Sequence, residues 1–224
     1  MAHARVKITV CGCGPGAAEY LTPAVRRAVA RAEVLAGARR LLELFPESKA
    51  ERIVIGADTE KALDQIAARR GRRIAVLVTG DAGLCSFAQP VLKRFGRQAC
   101  EVIPGISSVQ AAFARLGLDW LDARILSAHG RQGGLTDNLQ TAGNFFQCQS
   151  PLAPGKFAVL LGGKDSLAWA ARLAGALGGE YRIFVCENLT LTDERVRETT
   201  AAKLRTLEVA SLAIVLLVKK GLLA

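Results

Sequence analysis

The chain has 224 residues, half of them apolar, with 30 Lys and Arg against 20 Asp and Glu and a formal charge of +10. This length and apolar content exclude a disordered tail and a disulfide-stapled miniprotein, and leave room for one large domain or two smaller α/β halves. No apolar stretch reaches the ~18 residues of a membrane span, and with His3 and His129 the only histidines, the sequence argues against a protein-bound metal.

The apolar run Val6–Val10 reads as a strand that ends in the glycine-rich turn Cys11-Gly12-Cys13-Gly14-Pro15-Gly16. The turn lacks GxGxxG spacing, which weakens a dinucleotide-binding reading. Pro15 removes an amide donor from it, which disfavours a phosphate cradle. Thr22-Pro23 opens a helix over 24–32, because Thr caps well and Pro suits the first turn. Short strands are expected at 34–36 and 52–55, and helices at 37–44 and 59–70, the latter with Ala62, Leu63 and Ile66 on one face.

Ile74–Val78 is unbroken and apolar, the pattern of a strand buried on both faces of a parallel sheet. It runs into Thr79-Gly80-Asp81-Ala82-Gly83, a tight turn. Ligands of open α/β sheets bind outside the carboxyl ends of strands, so this turn is the first candidate site. A helix follows over 86–95. The strand 99–103 then leads into Pro104-Gly105-Ile106-Ser107-Ser108. The two hydroxyls there suit either a helix cap or a ligand in a crevice shared with the Asp81 turn. A helix follows over 109–116, and a domain boundary is expected at 117–121, giving domains 1–118 and 119–224.

Beyond it, strands are expected at 125–127, 157–161, 182–186 and 212–218, with helices at 166–177 and 200–206. The stretch 132–155, rich in Gly, Gln, Asn and Ser, reads as irregular. Glu187 either faces a cleft or, the favoured reading, caps a turn with Asn188. The six cysteines lie mostly in or beside apolar runs and lack zinc spacing, so they read as buried free thiols of a cytoplasmic chain without a secretory signal. The positive charge fits nucleic acid, an acidic membrane surface or a polyanionic small molecule. Without an aromatic-interleaved basic tract, the expectation is no nucleic acid and no membrane partner.

The ordered set CGCGPG, VTGDAGLCSFA, VIPGISSVQAAFARLGLDW and ARILSAHGR resembles the tetrapyrrole methylases over nearly the whole chain. PGISSVQ, LSAHGR and VCENLTLTDERVRETT are most like the members that methylate carbon 5 of a precorrin. The resemblance implies two α/β domains with S-adenosylmethionine in the cleft between them, and a homodimer. It implies that the cofactor meets Pro15, then Gly80, Asp81, Gly83 and Leu84, then Ser107 and Ser108, and finally Leu161 and Gly162. The substrate implied is a polycarboxylate macrocycle, precorrin-6Y or cobalt-precorrin-7. Arg suits its carboxylates, so His129 and Arg131 are the substrate-side candidates. Ala82 stands where the family usually has Pro, and with no second methylase domain after Ala224 the expectation is a stand-alone carbon-5 enzyme. The competing readings are a methylase of another ring position, a nucleic-acid or acidic-ligand binder, and a nucleotide-dependent oxidoreductase.

Overall fold

The computed structural model describes residues 8–128, 154–163 and 165–223. Contacts divide the chain into two compact units, Met1–Ser108 and Val109–Ala224.

The first unit is a parallel sheet of five strands: β1 (Ile8–Gly12), β2 (Val34–Gly37), β3 (Glu51–Val54), β4 (Ile74–Val78) and β5 (Cys100–Ile103), in the order β3-β2-β4-β1-β5. The apolar run of β4 is buried at every residue, because both faces of the sheet are covered. On one face, α1 (Pro23–Arg31) and α2 (Arg39–Leu42) bury Val25, Val29, Leu41 and Leu42 against Cys11, Leu35, Ala75 and Leu77. On the other, α3 (Thr59–Ala67) and α4 (Ala88–Phe95) bury Leu63, Ile66, Ala88 and Val91 against Val10, Ala36, Val76 and Val78. Helix α1 starts as its sequence predicts: Thr22 Oγ1 accepts the Val25 N–H at 3.2 Å, with Pro23 in the first turn. Helix α2 is shorter than expected because Gly37 stays in β2, paired with Val54.

The neighbours β1 and β4 send their connections to opposite faces, β1 through α1 and β4 through α4. The carboxyl ends of these two strands therefore form a topological switch point.

The second unit contains α5 (Ser108–Arg115, its first residue still in the first unit) and a mixed sheet. Its strands are β6 (Arg124–Ser127), β7 (Lys156–Leu160), β8 (Tyr181–Glu187), β9 (Arg195–Thr199) and β10 (Ala213–Lys219), in the order β6-β7-β10-β8-β9. Only β6 and β7 are parallel; β10 runs antiparallel to both β7 and β8. Helices α6 (Ser166–Ala176) and α7 (Ala201–Leu204) pack Trp169, Leu173 and Leu204 on Val159, Val185 and Val215. Two α/β units, one with a parallel and one with a mixed sheet, thus agree with the expected fold class.

Strand β9 lies where no strand was expected, and it explains Glu187. This carboxylate is fully buried and accepts Arg195 Nη2 at 3.0 Å, Arg197 Nη2 at 2.6 Å and the Ala210 N–H at 3.0 Å. It fastens the edge strand to β8 rather than capping a turn with Asn188.

Candidate functional site

Three turns converge at the switch point. After β1, the Cys13 N–H donates to Val78 O at 2.8 Å, and Gly14 and Gly80 exchange N–H···O bonds of 3.2 and 2.8 Å. This isolated bridge splices the CGCGPG turn to the turn after β4. Gly14 and Gly80 adopt φ of +77° and +66°, a region that glycine enters without steric cost. The third turn, after β5, closes on both. A Cβ on Gly105 would lie 2.4 Å from the carbonyl oxygens of Gly12 and Gly80. A Cβ on Gly12 would lie 2.5 Å from the Gly105 nitrogen. Main chain touches main chain here, with no room for a side chain.

Asp81 locks the arrangement. Its Oδ1 accepts the Gly83 N–H at 2.8 Å within its own turn, and its Oδ2 accepts the Gly105 N–H at 3.1 Å across to the next. Each carboxylate oxygen accepts a backbone donor, so Asp81 shapes the loop. Ala82 is buried and follows Asp81 in a turn closed by the Leu84 N–H to Asp81 O bond of 3.2 Å. Proline is favoured at that place in a turn, and Ala82 leaves it less constrained.

The structure brings the expected first-unit residues to one edge of the sheet. Pro15, Gly80 and Ser107 are buried, Asp81, Leu84 and Ser108 half-buried, and Gly83 exposed. Ser108 begins α5. In the second unit, Leu161 and Gly162 follow the carboxyl end of β7, where the Leu161 N–H donates to Ala213 O at 3.4 Å. His129 and Arg131 lie outside the described residues.

Sequence reading missed Gly12, Gly105 and Arg40 as parts of this edge. The Arg40 guanidinium donates to Thr79 Oγ1, bracing the residue before Gly80. Burial lowers its pKa, with the neighbouring Cys13 acting in the opposite sense. Nothing in the sequence distinguishes Arg40 from the other scattered arginines. Gly12 and Gly105 could have been noted as glycines that end strands.

Burial pushes the Cys11 and Cys13 thiols up to about 12, so both are neutral packing groups at ordinary pH. Cys186 in β8 behaves alike, Cys100 is half-buried, Cys85 is exposed, and Cys148 lies outside the described residues. Among the described residues no His, Cys, Asp and Glu group is arranged to hold a metal ion, and no helix is long and apolar enough to cross a membrane.

A cleft of about 1050 Å³ lies between α3, α4 and the β5 edge, lined by Leu63, Pro90, Lys93, Arg97 and Val102. It includes none of the three turns. The turns present instead the exposed Gly83 and the half-buried Asp81, Leu84, Gly105 and Ser108. This suits a ligand with both apolar and hydrogen-bonding parts, such as a nucleoside carrying an amino-acid tail.

The family model of the tetrapyrrole (corrin/porphyrin) methylases matches residues 7–205. A cobalt-precorrin-7 C(5)-methyltransferase of Salmonella typhimurium is 40% identical over 124 residues, 55% of this chain. The match spans 62% of that relative's length. A probable cobalt-precorrin-7 C(5)-methyltransferase of Methanocaldococcus jannaschii is 28% identical over 197 residues, 84% of this chain and 87% of its own. Among solved structures, the precorrin-6Y methylase of Archaeoglobus fulgidus superposes with a TM-score of 0.67 at 26% identity, covering 95% of this chain and 97% of its own. With three glycine turns at the switch point and a family match across most of its length, the chain belongs to the tetrapyrrole methylases.

Proposed function

We propose that this protein is an S-adenosylmethionine-dependent methyltransferase that acts on carbon 5 of a precorrin macrocycle, precorrin-6Y or cobalt-precorrin-7. The observation that carries the reading is the junction of Gly12, Gly80 and Gly105, which packs three glycine turns together at the switch point where ligands of such sheets bind. The choice of carbon 5 rests on the likeness to the Salmonella and Methanocaldococcus relatives.

S-adenosylmethionine, when bound, supplies a methyl group on a sulfonium that already carries its leaving group. The work left to the protein is alignment and exclusion of water. In this reading Pro15, Gly80, Asp81, Gly83, Leu84, Ser107 and Ser108 receive the cofactor from the first unit, and Leu161 and Gly162 from the second. Asp81 acts by holding two loops, through the Gly83 and Gly105 N–H groups, rather than by lending its carboxylate to the ligand. Arg40 steadies Thr79 at the end of β4. His129 and Arg131 are proposed for the carboxylates of the macrocycle. The +10 charge favours the approach of such a polyanion. A cytoplasmic homodimer completes the proposal, with its stoichiometry open to sedimentation velocity.

The test is calorimetric titration with S-adenosylmethionine and S-adenosylhomocysteine, comparing wild type with Asp81→Ala and Ser107→Ala. We expect saturable binding to wild type, weakened in both variants. Incubation with the precorrin and a carbon-13-labelled methyl donor should then place one new methyl signal at carbon 5. Absence of binding to wild type, alone and with the tetrapyrrole present, would refute the proposal.

A further inference from the structure

The connection between β8 and β9 carries two residues at positive φ, one of them the β-branched Thr190. Asn188 and Thr190 adopt φ of +48° and +73°. Such angles are uncommon for any residue with a Cβ and are strained for a β-branched one. Three other observations say what holds this loop and where it lies.

First, the loop is tied internally. Asn188 Nδ2 donates to Asp193 Oδ2 at 2.6 Å, the Leu191 N–H to Asn188 O at 2.9 Å, and the Glu194 N–H to Leu191 O at 3.1 Å. Leu189, between these two residues, is buried. Second, Glu194 reaches back and accepts the Thr190 N–H on Oε2. The same carboxylate is gripped at both oxygens by Arg115, the last residue of α5, through Nε and through Nη2 at 2.9 Å. This fork is a geometry that arginine makes well and lysine cannot. The Arg115 guanidinium keeps the Glu194 carboxyl below its ordinary pKa, so the pair stays ionised at neutral pH. Third, β7 and β8 both run antiparallel to β10, so their carboxyl ends share one edge of the sheet. There the Asn188 N–H donates to Leu212 O at 2.8 Å and the Leu161 N–H to the adjacent Ala213 O at 3.4 Å. The strained loop and the Leu161-Gly162 strand end thus hang on consecutive carbonyls.

From these we infer that Glu194, anchored by Arg115, is a positioning residue, which holds the Asn188–Thr190 main chain in the form that receives the methyl donor beside Leu161 and Gly162. The inference rests on the methyltransferase reading above and adds to it a device outside the glycine turns. Glu194 touches no reacting atom; it acts through the Thr190 backbone.

The experiment titrates S-adenosylhomocysteine into wild type, Glu194→Ala, Glu194→Gln and the double variant Glu194→Ala/Thr190→Gly, with a thermal melt of each. Loss of a carboxylate that satisfies an N–H and an arginine should weaken binding about tenfold in Glu194→Ala and by about threefold in Glu194→Gln, whose amide oxygen still accepts from Thr190. The double variant should recover most of the affinity, because glycine holds φ of +73° without a tether. A merely structural role would lower melting temperature and leave this rescue absent. Folded Glu194→Ala binding as tightly as wild type would overturn the inference. So would a double variant no tighter than Glu194→Ala, or, if neither alanine variant folds, a folded Glu194→Gln of undiminished affinity. Wild type that fails to bind would remove the cofactor reading and this inference with it, an outcome distinct from any of those.

Discussion

Gly105 sits where two carbonyl oxygens leave 2.4 Å for a Cβ, and neither belongs to a side chain that could rotate away. Gly105→Ala must therefore push apart the Gly12 and Gly80 backbones, which are held by the Gly14–Gly80 bridge. We expect a loss of about 2–4 kcal/mol in urea unfolding, the range of overpacked or strained sites, and no measurable S-adenosylhomocysteine binding. A Gly105→Ala protein with wild-type stability and affinity would show that the three-way junction does not form. At Asp81 the geometry adds what the residue type does not carry, since a turn-forming Asp and a ligand-binding Asp look the same in sequence. Only the distance from Oδ2 to the Gly105 amide, 24 positions along the chain, shows that its two oxygens serve two different turns.

Elements with a strong apolar run were legible before any coordinates. Strands β1, β4 and β10 are buried at the centres of their sheets, where continuous apolar sequence and two covered faces coincide. Strand β9 was not legible. Its sequence, Arg-Val-Arg-Glu-Thr, is that of an exposed edge, and its pairing with β8 is decided by a residue eight to ten positions earlier, the buried Glu187. The glycine turns of the site were visible as motifs, but the mutual contact of Gly12, Gly80 and Gly105 depends on β1 lying between β4 and β5, which no local pattern encodes. The role of Glu187 makes a prediction at this scale. Glu187→Gln leaves Arg195 and Arg197 facing a neutral amide in a buried position. Because both arginines reach solvent, stability should fall by about 1–2 kcal/mol, the cost of charge-assisted hydrogen bonds made neutral, and proteolysis should begin within β9. An unchanged urea midpoint would mean that the edge strand is held by its backbone ladder alone.

Among the described residues of the two units three thiols are deeply buried, Cys11, Cys13 and Cys186, each pushed up by burial from 9.0 to about 12. Between those values the unfolded chain has released these protons and the folded chain has not. Their contribution to stability is therefore complete below about pH 9 and is lost as pH rises toward about 12. Urea midpoints should fall progressively across that window, and Cys186→Ala should flatten the slope. A midpoint independent of pH there would show the thiols to be accessible to water. The glycine junction has a consequence in time as well as in space. Its three contributors are separated by 68 and 25 positions, and the strand carrying the first of them is made earliest yet lies between the two made last. A nascent chain that has produced only β1 to β4 holds two sides of the junction and nothing to close them. Ligand recognition by the first unit can begin only after Gly105 has left the ribosome. Arrested chains of increasing length, probed with a radiolabelled methyl donor, should thus retain none until Gly105 has emerged, and gain further retention once the second unit is made.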